Sequence, residues 1–264
     1  MQRLAVIGCG ALGTIVVEHL KKAGDWTLVG VMARTQAHAD ALGAKGGCPG
    51  FVELDKLLAL KPDLVVEIAG IGAAKAYGKT VLESGADLVV VSAGAFADPV
   101  WREEVTRVAQ THGRRIHVAS GAVGGFDVLR TAALMGADEI SIESTKSPKS
   151  LAGAPGLAGR PLSETDEEVA FEGDVPTAVK GFPKNVNVAA ATAFASDASD
   201  LVVRVVSRPG LTENTHRIRV RAGTMRADLT FASAHDPANP RSSVSTAWSV
   251  LALLKNLKST VSFF

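Results

Sequence analysis

Apolar residues follow two rhythms along this chain. Up to about residue 118, short unbroken apolar runs alternate with amphipathic stretches. Residues 3–7, 26–32, 63–68, 87–92 and 115–118 are such runs, the pattern of strands buried on both faces of a parallel sheet. Residues 14–23, 35–42, 53–60 and 73–84 predict helices between them. A further helix opens at Asp98-Pro99, a capping residue followed by proline in the first turn. From about residue 138 the rhythm changes. Residues 139–145 (EISIEST) alternate, and 168–172, 201–206, 214–221 and 225–232 are further short strands. Pro-Gly and Ala-Gly turns join the last three. A loop rich in Gly, Ala and Pro spans 150–161, and a small-residue helix spans 189–195. Residues 242–257 form an amphipathic helix after Pro237 and Pro240, expected to pack back on the first part. Strand–helix alternation followed by strand alternation predicts two domains built on different rules.

The first domain carries its own signature. Gly8-Cys9-Gly10-Ala11-Leu12-Gly13 joins the first strand to the first helix. G-x-G-x-x-G in that context is the dinucleotide-binding fingerprint, so the pyrophosphate contacts are expected at Gly8, Gly10, Ala11, Leu12 and Gly13. The expected fold is therefore α/β: a Rossmann-type doubly wound parallel sheet plus an α+β domain with a mainly antiparallel sheet. The dinucleotide-binding domain is expected over 1–122, completed by the C-terminal helix in 241–264. A catalytic, substrate-binding and oligomerisation domain is expected over 123–240. Two later strands end in the small residues Ala69 and Ala93, where a cofactor would cross the sheet edge. An NAD-specific site usually shows an acid at the end of the second strand. Here the end reads Met32-Ala33-Arg34-Thr35. Arg34, aided by Thr35, suits a 2′-phosphate, so NADP is expected and NAD tolerated. Arg34 can also be read as a solvated cation.

Side chains at 214–221 alternate between faces. Arg217, Arg219 and Arg221 share the face expected in solvent; His216, Ile218 and Val220 share the face expected to be buried. His216 is then either a general base or a core histidine with satisfied hydrogen bonds. Lys146, in Ser144-Thr145-Lys146-Ser147-Pro148-Lys149, is either an anion site or a surface cation.

Composition narrows the classes. The 264 residues are 47% hydrophobic, enough for one large or two modest cores. A net charge of +1 gives no field for nucleic acid or an anionic membrane. No apolar run reaches ~18 residues, so no membrane span is expected. The start runs straight into a strand, so no signal peptide is expected. Cys9 and Cys48 make neither a metal pattern nor a disulfide framework. A cytoplasmic, metal-free protein follows, and a dimer is the commonest closed assembly.

Several phrases, in order, resemble one family: G-C-G-A-L-G, V-V-E-I-A-G, V-V-V-S-A-G-A-F-A-D, A-S-G-A-V-G-G-F-D, T-K-S-P-K-S, F-P-K-N-V-N-V-A-A and T-E-N-T-H-R-I. The chain resembles L-aspartate dehydrogenase nearly end to end. The resemblance implies reversible, NAD- or NADP-dependent oxidative deamination of L-aspartate to iminosuccinate, which yields oxaloacetate and ammonia. It also implies a supply of iminoaspartate for NAD biosynthesis. It puts the active-site histidine on His216 and nicotinamide contacts on Ala122 and Asn187. Lys146 and Lys184 are the next candidates for the base. The competing readings are a related reductase, of dihydrodipicolinate reductase or homoserine dehydrogenase type, and a non-catalytic dinucleotide sensor.

Overall fold

The computed structural model describes residues 1–183, 187–234 and 243–263. Lys184, Pro237, Pro240 and Ser242 lie outside the described residues. Two units emerge: Met1–Ala119 with Thr246–Val261, and Ser120–Ser245 with Ser262–Phe264. Among the described residues, no helix is long and apolar enough to cross a membrane.

The first unit runs β1 (Arg3–Ile7), α1 (Ala11–Ala23), β2 (Thr27–Met32), α2 (Gln36–Gly46), β3 (Gly50–Phe51), α3 (Leu54–Leu58), β4 (Leu64–Glu67), α4 (Ile71–Glu83), β5 (Asp87–Val90), α5 (Pro99–Thr111) and β6 (Ile116–Val118). Its sheet is parallel throughout, in the order β3-β2-β1-β4-β5-β6. This is the doubly wound order, as the pattern predicted. Strand β3 was not predicted, because two residues between Pro49 and Val52 leave no periodic trace. Helix α1 starts at Ala11, earlier than predicted, so the last residues of the glycine loop form its first turn. Unbroken apolar strands feed both faces. Ala5, Ile7, Val65 and Val90 face a core with Val81 and Leu82 of α4 and Trp101 and Val105 of α5. Leu4, Val6, Val31 and Val66 face Val16, Val17 and Leu20 of α1.

Helix and strand meet at bare backbone. Gly8 has φ +125°, and a side chain there would lie 2.7 Å from the Ile68 carbonyl. A methyl on Gly13 would lie 2.1 Å from the Gly8 carbonyl oxygen. The Gly8 N–H donates to the Met32 carbonyl at 2.9 Å, tying the loop to the end of β2.

The second unit contains α6 (Phe126–Leu134), β7 (Glu139–Lys146), α7 (Pro148–Leu151), β8 (Glu168–Gly173), α8 (Val175–Gly181), α9 (Asn187–Ser196), β9 (Val202–Ser207), β10 (Glu213–Ala222) and β11 (Met225–Ala234). Its sheet order is β11-β10-β7-β9-β8. Only β7 and β9 run parallel; the other neighbours are antiparallel. The expected run of neighbouring strands 201–206, 214–221 and 225–232 is corrected at its first turn. Strand β7 lies between β9 and β10, so Pro209-Gly210 leads to a crossing and not a hairpin. The central place suits β7, since Ile142 pairs with both Val203 and Ile218 and all are at most 1% exposed. Helices α6 and α8 were not predicted. In α6 only Leu129 and Ala132 are buried while Leu134 is exposed, so its apolar stripe is broken. Helix α8 is announced by Asp174, whose carboxylate accepts the Thr177 N–H at 2.7 Å. The loop over 150–161 also has structure. Gly156 packs on Gly181 and the Phe182 ring, where a side chain would meet atoms at 2.6 Å. The unit is thus richer in helix than expected. The last described element, α10 (Ser245–Lys258), buries Ala247, Val250, Leu251 and Leu254 with the Leu4 and Val6 face of the first unit.

The two loop glycines predict opposite outcomes. Gly13→Ala should cost about 1–3 kcal/mol or more, because only backbone could yield. Gly10→Ala, where a side chain meets nothing within 4 Å, should stay within about 0.5 kcal/mol of the parent. Urea denaturation of both variants checks this; equal midpoints would remove the close approach as a constraint.

Candidate active site

The carboxyl ends of β2, β1, β4 and β5 are neighbours in the first sheet, and most sequence-predicted cofactor residues gather there. Gly10 caps α1 without any side-chain bond. The first N–H groups of α1 therefore lack intrahelical acceptors and, with the helix dipole, favour an anion. Open space over Gly10, with Ala11 exposed beside it, leaves room for a pyrophosphate to approach the backbone. The loop thus fits a dinucleotide. Cys9 is half-buried against the core below. Cys48 is no nucleophile, since burial pushes its thiol up to about 11 against the pull of Lys21.

Arg34 follows β2 and is exposed. Buried Ala33 stands where an NAD-specific site would carry an acid. Thr35 is occupied as the cap of α2: its Oγ1 accepts the His38 N–H at 3.5 Å and bonds His38 Nδ1 at 3.0 Å. Arg34 thus stands beside the start of α2, next to a threonine whose hydroxyl is engaged in the cap.

The most heavily bonded group at this edge, Glu67, is not among the residues predicted from the sequence. Glu67 ends β4 and is 1% exposed. Its Oε1 accepts the Ala69 and Gly70 N–H groups at 2.8 Å and the Ser92 hydroxyl at 2.9 Å. Its Oε2 accepts the Ser92 N–H at 3.2 Å. Burial raises its pKa, and these four donors oppose the rise. One carboxyl thus shapes the turns after β4 and β5, which hold exposed Ala69 and buried Ala93. The signal was present: an acid within the apolar run Asp63-Leu64-Val65-Val66-Glu67-Ile68 must be paired if the strand is buried.

Ala122, Asn187 and His216 belong to the second unit. Ala122 is in the turn before α6, and Asn187 is the first residue of α9; both are half-buried. His216 lies on the buried face of β10 and is 4% exposed, while Arg217, Arg219 and Arg221 are exposed on the other. Its Nδ1 bonds Ser144 Oγ at 2.9 Å, directly across the β7–β10 ladder. Burial, and then the charge of Lys146, press its pKa down to about 3. The imidazole is therefore neutral throughout the ordinary pH range. If Nδ1–H donates to Ser144, Nε2 keeps a lone pair for a proton. Lys146 is no surface cation: it is 6% exposed, and burial lowers its pKa to about 8. Among the described residues, no cluster of His, Cys, Asp or Glu could hold a metal.

Known proteins resemble the chain throughout. A model of the aspartate dehydrogenase C-terminal region matches residues 127–257. A model of the homoserine dehydrogenase NAD-binding domain matches residues 8–119. L-aspartate dehydrogenase of Methanospirillum hungatei is 32% identical, with 98% of each chain covered. L-aspartate dehydrogenase 2 of Bordetella bronchiseptica is 36% identical, with 96% of each covered. The crystal structure of aspartate dehydrogenase from Thermotoga maritima superposes with a TM-score of 0.78 at 27% identity, covering all of both chains.

Glu67 supplies the test of this edge. Glu67→Ala removes the acceptor of one buried and two part-buried N–H groups and should cost about 1–3 kcal/mol or more, the range for a buried unsatisfied donor. Glu67→Gln, with its carbonyl at the Oε1 place, keeps most of the bonds and should cost about 1 kcal/mol. Urea denaturation reads both; an alanine variant as stable as the parent would deny the carboxyl its structural role.

Proposed function

The chain belongs to the L-aspartate dehydrogenase family, and we propose that it oxidatively deaminates L-aspartate, reversibly, to iminosuccinate, from which water gives oxaloacetate and ammonia. The observation that carries this is a likeness covering 98% of both this chain and a curated L-aspartate dehydrogenase. The cofactor is NAD or NADP. When bound, it accepts or returns a hydride at the carbon bearing nitrogen.

The chain's residues do the rest. The N–H groups at Gly10 to Gly13 receive the pyrophosphate, with Gly8 making the turn. Ala69 and Ala93 keep the edge low, and Arg34 takes the 2′-phosphate of NADP. The Asn187 amide and the Ala122 backbone orient the nicotinamide. Oxidation needs the free amine, because an ammonium has no lone pair to push. His216 Nε2 takes that proton, directly or through water, and then helps water attack the imine. The Nδ1–Ser144 bond fixes the ring. We further propose a cytoplasmic homodimer whose iminosuccinate also serves NAD biosynthesis.

Substitutions at two residues test this assignment. Arg34→Ala should raise the KM for NADP roughly tenfold to a hundredfold and leave that for NAD nearly unchanged. Equal losses would refute the 2′-phosphate role.

His216→Ala and His216→Asn should lower kcat by about 10²- to 10⁴-fold at unchanged cofactor KM. A depressed pKa leaves the base form present above about 3 and lost only as pH falls toward that value. The pH profile between 5 and 7 should therefore show no limb owed to histidine. A limb near 6.5 that vanishes in His216→Asn would contradict the neutral imidazole, and a folded variant with full turnover would remove His216 as the base.

A further inference from the structure

Beside His216 is a group of polar side chains that the acid–base step leaves unused. Ser144 and Lys146 are two apart on β7 and so share a face. Lys146 pairs across the ladder with Ser207 of β9, as Ser144 does with His216 of β10. Asn214, two residues before His216, is on that face too. The apolar row of Ile142, Val203 and Ile218 thus gives way at one end to polar residues. All are buried: Ser207 is 0% exposed, Asn214 and Lys146 6%.

Their bonding is incomplete. Among the described residues, Ser207 Oγ and Asn214 Oδ1 find no hydrogen-bond partner, and Lys146 forms no ion pair. Buried polar groups are nearly always paired, and an unpaired buried charge is costly. Three such groups on one patch call for an occupant with an anionic oxygen for the ammonium, an acceptor for the hydroxyl and a donor for the amide oxygen. An amino dicarboxylate carries all of these.

We propose that Lys146, flanked by Ser207 and Asn214, seats the side-chain carboxylate of the substrate and so selects dicarboxylic over monocarboxylic amino and oxo acids. This rests on the aspartate reading above. Alternate residues along a strand are about 7 Å apart. With the reacting carbon at His216, a seat one such step away suits the more distant carboxylate. Seating it also cancels the charge that presses on His216, so the imidazole becomes a stronger base when the right substrate is bound.

The test compares Lys146→Met and Lys146→Arg with the parent protein. Oxaloacetate and pyruvate are assayed with ammonia and NADPH, and thermal melts are run with and without succinate. Lys146→Met should raise the KM for oxaloacetate roughly tenfold to a hundredfold. Its KM for NADPH should hold, and its kcat/KM for pyruvate should not fall. Its melting temperature without ligand should equal or exceed the parent's, because an unpaired buried charge has gone. Succinate should stabilise the parent and Lys146→Arg but not Lys146→Met. A merely structural lysine predicts a lower melting temperature with the oxaloacetate-to-pyruvate preference intact, which would overturn the proposal. Equal losses on both oxo acids would put the seat at the shared carboxylate and overturn the selectivity claim. A parent that succinate stabilises through Lys146 but that does not turn over oxaloacetate would sink the activity and leave the seat standing. Normal turnover with an unchanged KM for oxaloacetate in Lys146→Met would do the reverse.

Discussion

Everything at the cofactor edge depends on the absence of two side chains. Because Gly13 and Gly8 meet through backbone alone, α1 can lie close on β1 and start at the sheet's rim. That contact fixes where the positive helix end points. Two neighbouring arrangements complete the rim: the Gly8 N–H bond to the end of β2 and the bonds from Glu67 to the turns after β4 and β5. The first is a packing constraint with no tolerance for a methyl. The others are hydrogen bonds whose value rises with burial, most of all at the Ser92 N–H, which water does not reach.

The second unit solves a different problem with different means. Its sheet buries an apolar row and then, on the same face, a polar group around His216. Ser144 holds the ring, and Lys146 adds a charge that opposes protonation. Stability is given up there: hydrophobic residues in place of Lys146, Ser207 and Asn214 would pack at lower cost. Such groups are retained where binding or chemistry needs them.

The parallel sheet was legible because strands buried on both faces spell themselves as unbroken apolar runs. The burial of His216 was legible from alternation alone. The neighbours of β7 were not, since pairing between residues 142 and 218 leaves no local trace, and a Pro-Gly turn read locally suggests a hairpin. Helices α6 and α8 escaped because one has a broken stripe and the other spans Val175–Gly181. Lys146 was ambiguous because, although it shares a face with Ile140 and Ile142, it is the last residue of β7, where a long side chain can equally turn out to solvent. Glu67 could have been found, had the acid in an apolar run been asked for its partners.

Helix α10 has a consequence for how the chain comes off the ribosome. Leu4, Val6 and the inner face of α1 lack part of their cover until Ala247, Val250, Leu251 and Leu254 arrive, after the whole second unit has been made. The first unit is thus a noncontiguous body that closes last although it begins first. A fragment ending at residue 119 would leave an apolar face open to solvent, prone to self-association. Joining residues 245–261 to that fragment through a short linker would give a separately expressible cofactor-binding module.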